Sequence, residues 1–148
     1  MRRRLHILVA ASVIAVGLLA WPVAGGETKK TNQTQEVEDL LQKRQAVLQK
    51  LVEIVREEYH IGRTGFESVV RVTEQLTETE LELAKESKTR IAVLERQLES
   101  MRTLSSLVDA KFRTGHVTQA DVLAAQATLL AYRIKLAREK ALVDGNER

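Results

Sequence analysis

The chain has 148 residues, of which 44% are hydrophobic, 29% charged and 3% aromatic, with one Pro and no Cys. This length limits it to one small domain, and the scarcity of Pro and aromatic residues argues against a turn-rich β fold. The absence of Cys excludes a disulfide framework, a thiolate zinc site and a Cys nucleophile. The formal net charge of +3 arises at the N-terminus, because acidic and basic residues balance after Gly25. A neutral chain lacks the phosphate-neutralising charge on which nucleic-acid binding depends.

The N-terminal segment has the pattern of an export signal. Arg2, Arg3 and Arg4 precede an apolar run over residues 5–21, and small residues follow it. These are the charged, hydrophobic and cleavage regions of a secretory signal. We predict a signal peptide over residues 1–25; the alternative is an uncleaved membrane anchor, although the run is near the short limit of a bilayer span. In both cases the rest of the chain is expected to leave the cytoplasm.

The remaining chain is helical in pattern after a polar segment over residues 26–35, which we interpret as a flexible leader. Over residues 36–144 we predict an all-α domain of three long helices, packed as antiparallel coiled-coil hairpins, with the middle helix longest. The first helix runs from about Glu36 to Tyr59 and carries two apolar rows of period seven, both suited to burial. The rows are Leu40, Val47 and Ile54, and Leu41, Leu48 and Val55.

The middle helix is predicted from about Phe66 to Phe112. Apolar heptad positions recur in both halves, such as Val69, Leu76 and Leu83 in the first, but the halves are out of phase by one residue. The slip falls in the polar stretch 85–90, which contains no Gly or Pro. We therefore favour one continuous helix with a local change of supercoil. A break near Ser87 would instead allow a compact four-helix bundle.

The third helix is predicted from about Thr118 to Val143. Its seam consists of Val122, Ala125, Leu129, Tyr132, Leu136 and Val143. A second row of Ala residues at 120, 124, 127 and 131 either admits a close neighbouring helix or reflects helix propensity alone. Because two-helix contacts bury little surface, we expect oligomerisation or docking on another helical protein.

A shift of 53 residues superimposes the chain on itself, giving repeats over about 50–87 and 103–140. The shift places Tyr59, Gly62, Val69, Leu76 and Leu83 on Phe112, Gly115, Val122, Leu129 and Leu136. In each copy an aromatic residue lies three positions before a Gly at the end of a helix. Such a Gly can adopt positive φ and cap the helix, so each repeat predicts a tight helical turn, which we call a tip; the first tip also contains Gly65.

Capping boxes are predicted where the next helices begin. Thr64 with Glu67, and Thr118 with Asp121, have the spacing of a hydroxyl at the N-cap and a carboxylate three residues later. The two boxes are offset by one residue in the repeat register, so the two turns need not be identical.

The second tip resembles the signature repeat of the TolC-like outer membrane efflux protein family. The residues that carry the resemblance are Phe112, Gly115, Asp121-Val122-Leu123, Ala125-Gln126 and Leu129. The first tip is a weaker version, with Ser68 at the position of the family's Asp. In that family the repeat marks the periplasmic tip of a coiled-coil hairpin at the entrance of a trimeric export duct. The resemblance implies that Tyr59 and Phe112 are the aromatics beside the turns and Asp121 the acidic position near the entrance.

The resemblance also implies a partner and a location. Tips of this kind meet the hairpins of a membrane-fusion adaptor, so we expect a homo-oligomer or envelope helical partners, at the periplasm or the periplasmic face of the outer membrane. The chain is much shorter than family members and has no segment with strand alternation, so any outer-membrane association is not expected through a barrel of its own. We expect a barrel-less relative acting in efflux, with no enzymatic activity, cofactor, metal or nucleic acid. The alternative is a periplasmic chaperone or stress-sensing module of the Spy-like kind.

Overall fold

The computed structural model describes residues 27–146, with side chains from 32 to 145. This part of the chain is all-helical and contains no strand, which confirms the predicted all-α class, although it has four helices where three long ones were predicted. Its helices are α1 (Glu27–His60), α2 (Phe66–Leu83), α3 (Ser87–Arg113) and α4 (Gln119–Asn146). The predicted signal peptide over residues 1–25 lies outside the described residues.

The four helices form two antiparallel hairpins that pack against each other. α1 pairs with α2 across the turn at Gly62, and α3 pairs with α4 across the turn at Gly115. The Lys111 ammonium lies 2.5 Å from the Tyr59 carbonyl oxygen, so the two turns share one end of the molecule. The arrangement is therefore an up-down-up-down four-helix bundle, in which α2 also contacts α3 and α4.

The predicted continuous helix over residues 66–112 is wrong, because the chain breaks between α2 and α3. Ala84 and Glu86 both have extended backbone, with φ and ψ of −78° and 99° and of −104° and 140°. The break falls at the polar stretch where the apolar rows change phase. One residue of phase is about 100° of rotation in a straight helix, so a continuous rod would aim the two rows in different directions. Breaking the helix lets both rows enter one core.

Arg90 stabilises the chain at this break by hydrogen bonds to α2 and α4. Its guanidinium donates to the Leu81 carbonyl oxygen near the end of α2, at 3.0 Å. It also pairs with the Glu139 carboxylate of α4, at 2.7 and 3.3 Å. A cation at a helix C-terminus satisfies free carbonyl groups and complements the helix dipole. One α3 side chain thus holds three helices together.

α1 differs from its prediction at its start and on its outer side. The helix begins at Glu27, so residues 27–35, expected to be a flexible leader, are helical. Of the two apolar rows only one enters the core: Leu48 and Val55 are buried and Leu41 is half-buried. The other row remains exposed, at 57%, 65% and 56% for Leu40, Val47 and Ile54.

The core lies along the inner seam of the bundle and contains a polar cluster around Glu80. Val69, Leu76 and Val122 are buried as predicted, while Leu129 and Leu136 pack on the core half-exposed; Leu83 is also half-buried. Glu80 is buried and pairs with Arg96 at 2.6 Å, while the Gln97 amide donates to it at 3.2 Å. Bonds of this kind offset the desolvation of a buried carboxylate.

We expect Arg90→Met to destabilise the bundle by about 1–3 kcal/mol, because it leaves the buried Glu139 carboxylate and the Leu81 carbonyl without their donor. Arg102→Met is the matched control, since Arg102 pairs only with Glu99 on the exposed face of the same helix and should cost less than about 1 kcal/mol. Urea unfolding followed by circular dichroism measures both variants. Equal losses would contradict the role of Arg90 at the junction.

Candidate functional site

The candidate site is the end of the bundle where the two tips lie. At the first tip Gly62 has a φ of +78°, which favours glycine. Its N–H donates to the Tyr59 carbonyl at 3.1 Å, and the Arg63 N–H donates to the Glu58 carbonyl at 2.7 Å. These two bonds define a Schellman motif, in which the turn satisfies the last carbonyl groups of the helix.

The second tip repeats this geometry 53 residues later. Gly115 has a φ of +74°, and its N–H donates to the Phe112 carbonyl at 2.9 Å. The His116 N–H donates to the Lys111 carbonyl, also at 2.9 Å. Both glycines therefore end their helices in the left-handed conformation that the repeat predicts.

The helices that follow the tips start differently. Thr118 and Asp121 form a capping box: the Asp121 carboxylate accepts from the Thr118 N–H and hydroxyl at 2.7 Å, and the Thr118 hydroxyl accepts from the Asp121 N–H at 3.3 Å. The predicted box of Thr64 and Glu67 is absent, because the N-cap of α2 is Gly65, with no side-chain bond. The 53-residue shift places Gly65 on Thr118, so α2 and α4 start at equivalent positions of the repeat. Thr64 lies one residue before the N-cap position.

Lys111 joins the two tips and was not identified from the sequence. Its ammonium donates to the carbonyl oxygens of Tyr59 and His60, at 2.5 and 3.2 Å, and lies 4.5 Å from the centroid of the Tyr59 ring. It thus combines a cap on the C-terminus of α1 with a cation–π contact. A basic residue in the last turn of a helix is a visible signal, but its target on the other hairpin depends on the fold.

The two tip aromatics have different environments. Tyr59 is 3% exposed and meets the Phe66 ring edge-on, with centroids 6.4 Å apart. Its burial, and next the nearby Asp121 carboxylate, raise the pKa of the Tyr59 phenol. Phe112 is 41% exposed. The first aromatic therefore belongs to the core, and the second lies at the surface.

The outer surface of the tips is apolar and basic. We define the tip face as the exposed residues Ile61, Arg63, Phe112, Arg113 and His116. The turn segments 60–65 and 112–117 contain no Asp or Glu, although the exposed Glu57 and Glu67 flank the first segment. Asp121, after the second segment, is engaged in its capping box. The tip face therefore fits a surface that presents apolar and acidic groups.

A groove between α1 and α3 runs up to the tips. Arg56 of α1 lies in this groove and is half-buried. Arg56 bonds the Ser100 hydroxyl across this groove, and desolvation lowers the pKa of its guanidinium. His60 lies at the edge of the groove beside Glu57. Among the described residues no three His, Cys, Asp or Glu side chains are grouped as metal ligands.

Comparison of the chain with protein-family models, curated proteins and solved structures finds no match. Within residues 27–146, no helix combines the length and the apolar character needed to cross a bilayer. The resemblance to the TolC-like family thus remains a prediction from the sequence, carried mainly by the residues of the second tip.

We expect Gly115→Val to destabilise the chain by more than about 1 kcal/mol, because a β-branched residue is strained at positive φ. An added Cβ at Gly115 meets no atom within 4 Å, so backbone strain is the whole cost. Gly145→Val is the control, since Gly145 lies in the last turn of α4 without a positive φ and with equally open surroundings, and Val is no worse than Gly inside a helix. Thermal unfolding compares them, and an unaffected Gly115 variant would contradict the requirement for a glycine turn.

The Thr118 N–H and then the Thr118 hydroxyl lower the pKa of Asp121. A folded-state pKa below that of the unfolded chain stabilises the fold above about pH 4, and the contribution is lost as the pH falls through the folded-state pKa. Asp121→Asn should therefore be less stable than the parent chain at neutral pH, and this difference in stability should narrow below about pH 4. Thermal unfolding of both chains over a range of pH measures it. A difference in stability that does not change with pH would show that the carboxylate charge has no part in the cap.

Proposed function

We propose that this chain is an exported, non-enzymatic assembly protein that docks on helical hairpins of envelope partners through its tip face. The mode of contact is that of the periplasmic tips of outer membrane efflux proteins, and the process served is efflux. The observation that carries the proposal is the pair of Schellman turns, placed side by side at one end of the bundle and joined by Lys111.

The rigidity of the tips supports a docking role. The Lys111 contacts and the Thr118–Asp121 capping box fix the backbone on both sides of Phe112 and Gly115. A surface held in its bound conformation loses little entropy on association. Ile61 and Phe112, 52% and 41% exposed, supply the apolar anchors, and basic side chains surround them.

The chemistry of the tip face specifies the partner. An adaptor-type hairpin with apolar residues between acidic ones complements Ile61, Phe112 and the basic Arg63 and Arg113. Opposite charges at the rim mainly set the rate and specificity of association, while the buried apolar residues dominate its affinity. The contact needs no cofactor or metal. The basic and apolar N-terminal segment is the export signal that delivers the chain to the periplasm or to the periplasmic face of the outer membrane.

Complementation in the host organism tests this proposal. Deletion of the gene should raise the intracellular accumulation of an ethidium dye, and the parent chain should restore its export. Phe112→Asp, on the tip face, should fail to restore export. Leu142→Asp is the control, since Leu142 is 66% exposed on α4 away from the tips, and it should restore export fully. Normal export in the deletion strain, or equal rescue by both variants, would refute the proposal.

A second candidate is a periplasmic chaperone of the Spy-like kind, which the exposed apolar residues along α1 and α4 favour. Val47 and Leu123 are 65% and 56% exposed, and such surfaces bind unfolded chains. This function predicts that the chain suppresses the aggregation of a thermally unfolded client enzyme, measured by light scattering. Suppression that Val47→Glu abolishes and Phe112→Asp preserves would favour the chaperone over the efflux function.

A further inference from the structure

The break between α2 and α3 differs in kind from the two tips. Each tip ends its helix with a glycine at positive φ, Gly62 or Gly115, whereas residues 66–113 contain no Gly or Pro. Residues 84–86 are Ala, Lys and Glu, which are among the strongest helix formers. The N-cap of α3, Glu86, makes no side-chain bond. The local sequence therefore favours a helix through this break, and contacts elsewhere in the fold impose the interruption.

The backbone hydrogen bonds show what the break costs. Helical bonding stops at the Ala84 N–H and resumes at the Arg90 N–H, and the bonds of these two groups are both 3.0 Å long. The N–H groups of residues 85–89 lie between them and gain helical partners only if α2 and α3 become one helix. In the broken form the Arg90 guanidinium bonds one of the carbonyls left free, that of Leu81, at 3.0 Å. Joining the helices therefore gains several backbone bonds and gives up one side-chain bond.

The contacts between the two hairpins do not require that both belong to one chain. Each hairpin packs more extensively within itself than against the other. The side-chain bonds that join the hairpins include those of Lys111 to the Tyr59 carbonyl, Gln97 to Glu80, and Arg56 to Ser100. A single chain with a continuous helix would hold its hairpins at opposite ends of a rod and lose all of these bonds. A second copy carries the same two hairpins and restores every one of them.

We propose that two copies of this chain exchange hairpins. In each copy α2 and α3 join into one helix over residues 66–113, about 70 Å long, and the α1–α2 hairpin packs on the α3–α4 hairpin of the second copy. The dimer is then two four-helix bundles end to end, and each bundle repeats the contacts of the single chain. The offset of the apolar rows is no obstacle, because the two halves of the long helix enter different cores. Exchange of identical elements is a low-cost route to a dimer, since it uses contacts that already exist.

The exchanged dimer keeps the tip face. Each of its two ends combines the first tip of one copy with the second tip of the other, and Lys111 bonds the Tyr59 carbonyl of the second copy. The dimer thus presents two tip faces, at opposite ends, where the single chain presents one. The exchange itself does not depend on what the tip face binds.

Ser87→Pro tests the joined helix. Ser87 is the first residue of α3, and Glu86 before it is extended, with a φ of −104° and a ψ of 140°. Proline is favoured at the first position of a helix and prefers an extended residue before it, so the single-chain bundle accepts the change. In the joined helix the same proline would lie in the interior and break the helix. We expect the parent chain, purified from the cell envelope and refolded from urea at high concentration, to form a dimer by light scattering. Ser87→Pro should lower the association constant at least about a hundredfold.

Ser87→Ala is the matched control and should dimerise at least as strongly as the parent chain, because Ala favours the joined helix. The circular dichroism and thermal unfolding of the Ser87→Pro monomer should match those of the parent monomer, which separates a loss of exchange from misfolding. A parent chain that stays monomeric at high concentration, or a Ser87→Pro variant that dimerises as strongly as the parent, would overturn the proposal.

Energy transfer between labelled copies tests which hairpins are in contact, because the chain has no Cys of its own. Arg63→Cys with a donor dye and Arg113→Cys with an acceptor dye mark the first and second tips, and both positions are exposed. Chains of the two kinds, mixed in urea and refolded together, should show energy transfer in the dimer fraction, since tips of different copies then lie side by side. The same mixture with Ser87→Pro in both chains should show none. A dimer without transfer, or transfer that Ser87→Pro leaves unchanged, contradicts the exchange whatever the export assay shows.

Discussion

The one-residue offset between the apolar rows of α2 and α3 is the constraint on which the architecture depends. A single helix cannot turn both rows toward the same neighbours, so the chain gives up a few helical hydrogen bonds at Ala84–Glu86 and gains one shared core. Arg90 compensates part of that loss through the Leu81 carbonyl and Glu139. The reversal also returns α3 to the end where α1 stops, and this alone brings the second tip beside the first.

The contact between the tips links packing to function. Two separate hairpins would each present one turn, with no fixed relation between them. Lys111 supplies that relation, because its ammonium satisfies carbonyl groups on the other hairpin and covers the Tyr59 ring. The efflux proposal depends on this composite surface.

Local features were predictable from the sequence, and features set by tertiary contacts were not. The glycine turns follow from steric limits on φ, and the Thr118–Asp121 capping box follows from spacing within one turn. The Thr64 box was wrong because a neighbouring residue competes for the same N-cap position, and spacing alone does not decide between them. The phase slip pointed to residues 85–90 as the place where a break could occur. The sequence alone did not decide between a break and a continuous helix, because that choice depends on the packing of the two hairpins against each other. The exposure of Leu40, Val47 and Ile54 likewise depends on which neighbours α1 has.

Tyr59 and Phe112 occupy equivalent positions of the two repeats, but Tyr59 is buried and Phe112 is exposed. The ring at position 59 is fixed by Phe66, Lys111 and the core, so few replacements preserve the end of the bundle. The ring at position 112 is exposed, so its replacement leaves the packing of the bundle end intact. Because the turn occurs twice, one of its two aromatic positions is tied to the packing of the bundle, and the other can accept a different side chain without loss of the fold.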